Sequence, residues 1–306
     1  MFTIALKNVL VMMLYMACGF TLVKTGKGRS EHAKSLSAFL IYVCGPSLII
    51  GAFQNMQYSF ESACDIGMFF IITLAIQIIS FIILYIVLHR RYDDAKYRIL
   101  SFGAVMGNVG FLGMPLVLAL FPDQPVVACY STMYSMSMNL LVFTMGVFLI
   151  TNDRKYITIK SALLNPTSIA IMVSLPLYFL DIHLPEELGS AVSLLGKMTT
   201  PICMFILGMR LASVSLKRLF TRTFVYIVCG LKLIVYPLFA YLCVLFLPFV
   251  SETFKACILV LSAAPTGAML LSLAELHGCE QEMSANVVLL ATMFCVATLP
   301  LMVLLV

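Results

Sequence analysis

Amide, hydroxyl and backbone groups clustered in two glycine-containing stretches are the parts of this sequence best suited to bind a small ligand. Asn108 lies within residues 107–115, which hold three glycines and a proline, and Thr266 lies within residues 263–267. Both stretches interrupt long apolar segments, where glycine and proline break a helix. A side-chain amide can hydrogen-bond a carboxylate, and the N–H groups that begin a helix favour an anion. The chemistry predicted here is reversible anion binding.

The candidate binding residues come from three places. The first stretch supplies Asn108, Val109, Gly110, Gly113 and Pro115, and the second supplies Pro265, Thr266 and Gly267, with the backbone amides of Gly110, Phe111 and Gly267 as extra donors. Ser131, Ser135 and Asn139 are four residues apart and share one helix face, so Ser135 and Asn139 are added as candidates. For this polar stripe, hydrogen bonds between helices, worth about 0.6 kcal/mol each, remain an equal alternative.

Charged residues inside apolar segments are the candidates for coupling transport to an ion. Lys232 lies deep in an apolar segment, where a charge costs at least about 2.5–3.5 kcal/mol. We predict that it acts as an internal cation, with Asp65 as its partner. Glu275 lies near the end of another apolar segment and is a candidate for proton exchange. Solvation at the membrane interface is the alternative role for Glu275.

The composition excludes an ordinary soluble domain. Of the 306 residues, 62% are hydrophobic and 11% are charged. The apolar runs reach about 17 to 25 residues, which suits membrane helices and not barrel strands. The ten cysteines and four histidines show no metal-ligand spacing, and no nucleophile and base stand at useful spacing. We therefore predict an all-α polytopic membrane protein that is not an enzyme and has no metal or cofactor.

Ten spans account for almost the whole chain. They cover about 4–23, 36–53, 66–88, 99–121, 126–150, 162–180, 188–209, 223–247, 253–276 and 283–305. Most of the Lys and Arg residues fall in the loops after spans one, three, five and seven, which indicates topology and not nucleic-acid binding. By the positive-inside rule these loops are cytoplasmic, so both termini are expected on the non-cytoplasmic side of the inner (plasma) membrane.

The two interruptions lie in spans four and nine, in corresponding positions of two halves. Five spans in each half would give the halves opposite orientations in the membrane, so residues 1–155 and 156–306 are predicted to form an inverted repeat. Paired interruptions of this kind are the best sequence indicator of a secondary transporter's binding site.

The same residues carry a family resemblance. The motifs are Gly107-Asn108-x-Gly110-Phe111-Leu112-Gly113-x-Pro115, Leu207-Gly208-Met209-x-Leu211-Ala212, and Ala264-Pro265-Thr266-Gly267 followed by Ala274-Glu275. In order and over the whole chain they resemble the auxin efflux carrier family of permeases. The resemblance is to the compact prokaryotic type, because the long central loop of the plant PIN-FORMED carriers is absent.

The resemblance implies a fold like that of the bile acid sodium symporters, with ten helices, of which broken helices four and nine cross. It implies a scaffold of spans one, two, six and seven and a mobile transport domain of spans three to five and eight to ten. Asn108 falls on the crossing asparagine of the plant carriers, and Lys232 with Pro237 resembles a pair in their eighth helix. Pro265-Thr266 replaces their proline-glutamine, which argues against the plant substrate.

The predicted function is secondary active transport of a small organic anion, a mono- or dicarboxylate, by elevator-type alternating access around the crossed breaks. The alternative is a membrane-embedded ligand sensor with the same fold and no net transport. The lipid bilayer and the anion are the expected partners, without nucleic acid. The sequence leaves open the identity of the anion, the direction of transport, coupling to protons and the formation of a homodimer.

Overall fold

Helices form almost all of the regular structure. The computed structural model describes residues 1–157, 159–214 and 219–306, and these ranges contain helices and no β-strand. In hydrocarbon, backbone polar groups must be paired within the protein, and a helix pairs them within one segment. The all-α prediction is therefore confirmed for the described residues.

We number the main helices in chain order. They are α1 (Phe2–Lys24), α2 (Ala33–Gln54), α3 (Phe60–Arg91), α4 (Ala95–Val105), α5 (Val109–Leu120), α6 (Val126–Thr151), α7 (Pro166–Phe179), α8 (Glu186–Ser213), α9 (Thr223–Leu245), α10 (Glu252–Ser262), α11 (Met269–His277) and α12 (Gln281–Leu305). A helix of about one turn, Ile159–Leu163, precedes α7.

Seven helices of the described chain are long and apolar enough to cross a bilayer: α1, α2, α3, α6, α8, α9 and α12. The protein is thus a multi-pass membrane protein. The other three predicted spans correspond to α7 and to the pairs α4 with α5 and α10 with α11. Helix α7 has 14 residues, so at about 1.5 Å per residue it is shorter than a hydrocarbon core of about 30 Å. Each of the two pairs is interrupted.

The first interruption is shorter than the glycine-rich stretch that predicted it. The first is confined to residues 106–108, and Gly110, Gly113 and Pro115 lie within helix α5. A π-helical turn, Val109–Gly113, begins α5, and Pro115 follows one residue after the turn, where the regular α-helix starts. A proline has no N–H to donate to the preceding turn, and the changed hydrogen-bond register of the π turn accommodates it there. The second interruption covers residues 263–268.

Proline and π-helical turns also coincide elsewhere. The turns Leu40–Cys44 and Leu231–Val235 precede Pro46 and Pro237, as Val109–Gly113 precedes Pro115. A proline cannot donate to the carbonyl four residues earlier, and a π turn changes the hydrogen-bond register just before it. The turn in α9 contains Lys232. The local sequence thus affects the direction in which this lysine points.

Helices α1 and α8 pack very closely against each other. A Cβ atom added at Gly208 would stand 1.9 Å from the Met16 carbonyl oxygen, and one added at Gly19 would stand 2.0 Å from that of Phe205. The two backbones therefore touch directly, as small residues permit between membrane helices. Helix α2 packs against α7 and α8, α3 against α6, and α9 against α10 and α12.

Candidate functional site

The two helix interruptions are paired with each other. Gly107 and Thr266 form an isolated antiparallel bridge. The Asn108 N–H donates to the Pro265 carbonyl at 2.7 Å, and the Gly267 N–H donates to the Met106 carbonyl at 3.2 Å. These bonds satisfy backbone groups that would otherwise be unpaired in the middle of the protein. Residues about 160 positions apart thus form one structural unit, which we call the paired breaks (residues 106–108 and 263–268).

Glycine is required on both sides of the paired breaks. A Cβ atom at Gly267 would lie 2.9 Å from the Gly107 carbonyl oxygen, and one at Gly107 would lie 2.9 Å from the Lys232 ammonium nitrogen. Either contact is closer than a real Cβ atom permits. A Cβ atom at Gly107 would also lie 3.2 Å from the Ala264 carbonyl oxygen, so the two segments approach most closely where Gly267 lacks a side chain.

A cavity of about 180 Å³ lies against one side of the paired breaks. It is lined by residues of six helices, α2, α5, α6, α7, α8 and α11. Most of its wall is apolar. Its polar lining side chains are Ser37, Asn108, Thr132, Ser135, Asn139, Thr167, Arg210 and Ser272. The cavity is thus an apolar pocket with a few polar groups, as small-ligand sites usually are.

Asn108 is placed to contact a ligand in this cavity. Its side chain is almost fully buried, and its Nδ2 lies 3.7 Å from the Cys203 sulfur, a weak acceptor. No stronger hydrogen bond holds the side-chain amide among the described residues. The amide therefore keeps hydrogen-bonding capacity for a molecule in the cavity.

Two helix N-termini border the same cavity. Val109, Gly110 and Phe111 from the start of α5 line it, and so do Ala268 and Met269 at the start of α11. The first N–H groups of a helix lack intrahelical acceptors, and the helix dipole gives that end a partial positive charge. Both ends raise the electrostatic potential in the cavity, which favours an anion.

Lys232 lies at the C-terminal ends of α4 and α10, the two half-helices that precede the interruptions. Its side chain is fully buried, and its ammonium donates to the carbonyl oxygens of Val105 at 3.1 Å and Ser262 at 3.0 Å. These residues end α4 and α10, where carbonyls lack intrahelical donors and the dipole is negative. The ammonium also lies 4.5 Å from the centre of the Tyr236 ring. One buried cation thus caps two broken helices.

The predicted pairing of Lys232 with Asp65 is not found. Lys232 makes no ion pair with any described residue, since its donors are used by two carbonyls and the Tyr236 ring. Asp65 lies in the first turns of α3 and is partly exposed. Carbonyl oxygens at helix ends can replace a carboxylate here because they carry the negative end of the dipole. Glu275 instead pairs with Arg210, with its Oε1 3.2 Å from Nη1.

The sequence-predicted binding residues divide into two groups. Asn108, Val109, Gly110, Ser135, Asn139 and Gly267 line the cavity, whereas Gly113, Pro115, Pro265 and Thr266 do not. The Thr266 hydroxyl is buried and donates to the Gly103 carbonyl at 2.9 Å, so it joins α4 to the second break. The Gly267 N–H is likewise used by Met106 and is not free for a ligand. Gly113 faces Leu261 of α10.

Arg210 is a charged cavity residue that the sequence analysis does not identify as a candidate. By its place directly after the seventh predicted span, it belongs to the basic loop residues that indicate topology. Arg210 shares a helix face with Cys203, Ile206 and Leu207, because residues spaced three, four and seven apart lie on one face, but only the structure shows that this face borders the cavity. All four line the cavity.

Comparison with known proteins identifies the family. Residues 4–303 match the profile of Mem_trans, described as membrane transport protein. The chain belongs to this family, the auxin efflux carrier family. This confirms the resemblance carried by the motifs around Asn108, Leu207 and Pro265. A member of the Mem_trans family is a transport protein and not an enzyme.

Two archaeal proteins are similar to this Mem_trans member over nearly their full lengths. An uncharacterized transporter of Methanocaldococcus jannaschii is 23% identical over 304 residues, covering 96% of each chain. An uncharacterized transporter of Methanothermobacter thermautotrophicus is 26% identical over 300 residues, again covering 96% of each chain. Both are compact proteins, which agrees with the prokaryotic type of the family.

Proposed function

We propose that this protein is a secondary transporter that binds a small organic anion at the paired breaks and carries it by alternating access. The observation that carries the proposal is the convergence of two helix N-termini and the Asn108 amide on one cavity. Discontinuous helices whose N-termini point at an anionic group are a common transporter design. The apolar remainder of the wall suits the carbon skeleton of an organic acid.

The architecture that fits this proposal is ten spans in two inverted halves. Counting α4 with α5 and α10 with α11 as one span each gives five spans in residues 1–155 and five in 156–306. The pairing of the two breaks supports this count, because corresponding elements of inverted halves meet at the repeat interface.

We assign α1, α2, α7 and α8 to a scaffold and the remaining helices to a mobile transport domain. Packing of α1 on α8 and of α2 on α7 supports the first group, and packing of α3 on α6 and of α9 on α10 supports the second. The cavity lies where the two groups meet. Movement of the transport domain along the scaffold would then carry the paired breaks and the ligand together, as in an elevator.

We assign the protein to the plasma (inner) membrane, and the positive-inside rule supports an orientation with both termini outside. With that orientation, Arg210 near the end of α8 and Thr167 at the start of α7 lie toward the cytoplasm. Both line the cavity, which supports an inward-facing conformation. We assign ion coupling to the buried Lys232 cation, with Asp65 and Glu275 as titratable groups.

Asn108→Ala is expected to weaken ligand binding and transport by about tenfold or more, since a hydrogen bond to a charged group contributes about 1.5–3 kcal/mol. The measurement is counterflow of labelled organic acids in liposomes that contain the purified protein. Asn8→Ala is the matched control, because the Asn8 amide donates to Ile4 within α1, away from the cavity. Counterflow unchanged in a folded Asn108→Ala protein would place the site elsewhere. Binding without counterflow in the native protein would indicate a sensor.

Single cysteines at Gly110 and Ala268 are expected to be labelled from either side of the membrane, depending on the direction of the gradient. Both positions line the cavity and are partly exposed, and a Cβ atom at Gly110 meets only the Ser135 hydroxyl, at 3.5 Å. Impermeant thiol reagents measure access in a background without reactive native cysteines. Thr266→Cys is the buried control and should stay unlabelled. Labelling from one side under every gradient would contradict alternating access.

A further inference from the structure

We propose that the ion pair between Arg210 and Glu275 is a conformational latch, which holds the transport domain in the inward-facing position. Breaking the pair would then favour the outward-facing position. The inference rests on the proposed function, because it takes from it the division into scaffold and transport domain and their relative movement. It adds a contact that regulates this movement and that lies outside the paired breaks.

The latch joins the two groups of helices that would move against each other. Arg210 lies in the last turn of α8, in the scaffold, and Glu275 lies near the end of α11, in the transport domain. Nη1 of the arginine and Oε1 of the glutamate are 3.2 Å apart. The other ion pairs of the described residues join neighbours in sequence or two parts of the transport domain. Among them, only the latch would have to break during the movement.

The rest of the described boundary resists sliding only weakly. Two further side-chain hydrogen bonds between the helices of the two groups involve sulfur, which is a weak donor and acceptor. The Asn108 amide lies 3.7 Å from the Cys203 sulfur, and the Cys129 thiol donates to the Ala52 carbonyl at 3.7 Å. The buried residues of α1, which packs on α5 and α12, are all apolar, and hydrophobic contact is non-directional. The ion pair therefore fixes a relative position that these contacts leave free.

Glu275 depends on Arg210 for an electrostatic reason. It lies in the last turn of α11, which ends at His277, and a carboxylate there meets the negative end of the helix dipole. Arg210 provides the one hydrogen bond described for its side chain. Because both helix ends face the cytoplasm in the assigned orientation, displacement of the transport domain toward the outside would separate the pair. The carboxylate would then lose its partner at an unfavourable helix end, so the latch favours the inward-facing position.

The latch is weak enough to open in every transport cycle. The side chains of Arg210 and Glu275 are 20% and 48% exposed. Ion pairs at a protein surface shift an equilibrium by about two- to fivefold. A ratio of inward- to outward-facing protein that changes by this factor keeps both states occupied. The latch thus sets the balance between the two states without blocking either.

The test measures how fast an impermeant thiol reagent modifies Gly110→Cys from each side of liposomes, without substrate or gradient and in a background without reactive native cysteines. Glu275→Gln is expected to raise the ratio of the outside rate to the cytoplasmic rate about two- to fivefold. Arg210→Gln should raise it by a similar factor, and the double variant no further, because the same pair is lost only once. Glu282→Gln is the matched control and should leave the ratio unchanged. Its side chain is 50% exposed and pairs with Arg222 at 3.0 Å within the transport domain.

An outside-to-cytoplasmic ratio that is the same after Glu275→Gln as after Glu282→Gln would overturn the inference. Single-variant effects that add up in the double variant would overturn it as well. If Arg210→Gln does not fold, the comparison of the two glutamate variants decides alone. These results leave the proposed function standing as long as both sides reach position 110. Modification from one side only, in the native background and in every variant, would instead reject alternating access, and the inference with it.

Discussion

Lys232→Met is expected to abolish transport and to lower the melting temperature of the purified protein. The methionine side chain is similar in length but donates no hydrogen bond, so the carbonyls of Val105 and Ser262 would lose their donor. A buried group left without a partner costs about 1–3 kcal/mol. Both half-helices that end at these carbonyls would be affected at once, which should disturb the paired breaks themselves.

Lys255→Met is the matched control for Lys232→Met. Lys255 lies near the start of α10 with its side chain 11% exposed, and it pairs with Glu252, whose side chain is 84% exposed. Pairs of this kind contribute about 0.2–1 kcal/mol, so the control should keep most of its stability and transport. The two variants are compared by melting temperature and by counterflow in liposomes. Native transport and stability after Lys232→Met would show that the ammonium neither caps the half-helices nor couples transport.

Gly267→Ala is expected to open the paired breaks and to eliminate transport. The added methyl carbon would stand 2.9 Å from the carbonyl oxygen of Gly107. That oxygen is backbone, so it cannot move aside without disturbing the bridge between Gly107 and Thr266. Overpacking at a tight site costs about 1–3 kcal/mol, and the lost backbone hydrogen bonds would add to it.

Gly230→Ala provides the comparison for Gly267→Ala. Gly230 lies in α9, and a Cβ atom there would meet no atom within 4 Å. Since alanine has the higher helix propensity by up to about 1 kcal/mol, this variant should be as stable as the native protein or slightly more so. Melting temperature and counterflow are measured for both variants. A Gly267→Ala protein that behaved like Gly230→Ala would show that the two breaks do not need this close approach.

Much of the fold could be predicted because its determinants are local. Apolar runs of sufficient length predict helices α1 to α3, α6, α8, α9 and α12, and the glycines near Asn108 and Thr266 predict the positions of both interruptions. The length of the first interruption could not be predicted from the sequence. Gly110, Gly113 and Pro115 look like helix breakers, but a π-helical turn accommodates them within α5. Hydrogen-bond register within a helix depends on packing as well as on sequence.

The sequence predicts only part of the candidate site, because local features do not show which groups meet in the fold. Asn108 was found because it lies at a helix interruption, and Ser135 and Asn139 because their spacing defines one helix face. Thr266 was expected to face the ligand but donates to Gly103, on a helix about 160 residues away in the chain. A hydroxyl at an interruption can face either a cavity or another backbone. Sequence spacing does not show whether such a hydroxyl faces the cavity or the backbone.

The sequence by itself determined that this chain is a helical membrane protein of a transporter family, with two helix interruptions and a buried lysine. Hydropathy, glycine and proline act over a few residues, so these features can be recognised without a fold. The tertiary structure decided which groups meet: Lys232 with the carbonyls of Val105 and Ser262 and not with Asp65, and Arg210 with Glu275 beside the cavity. These partners lie between 30 and 127 residues apart in the chain, and only the packing of helices against one another brings them within hydrogen-bond distance.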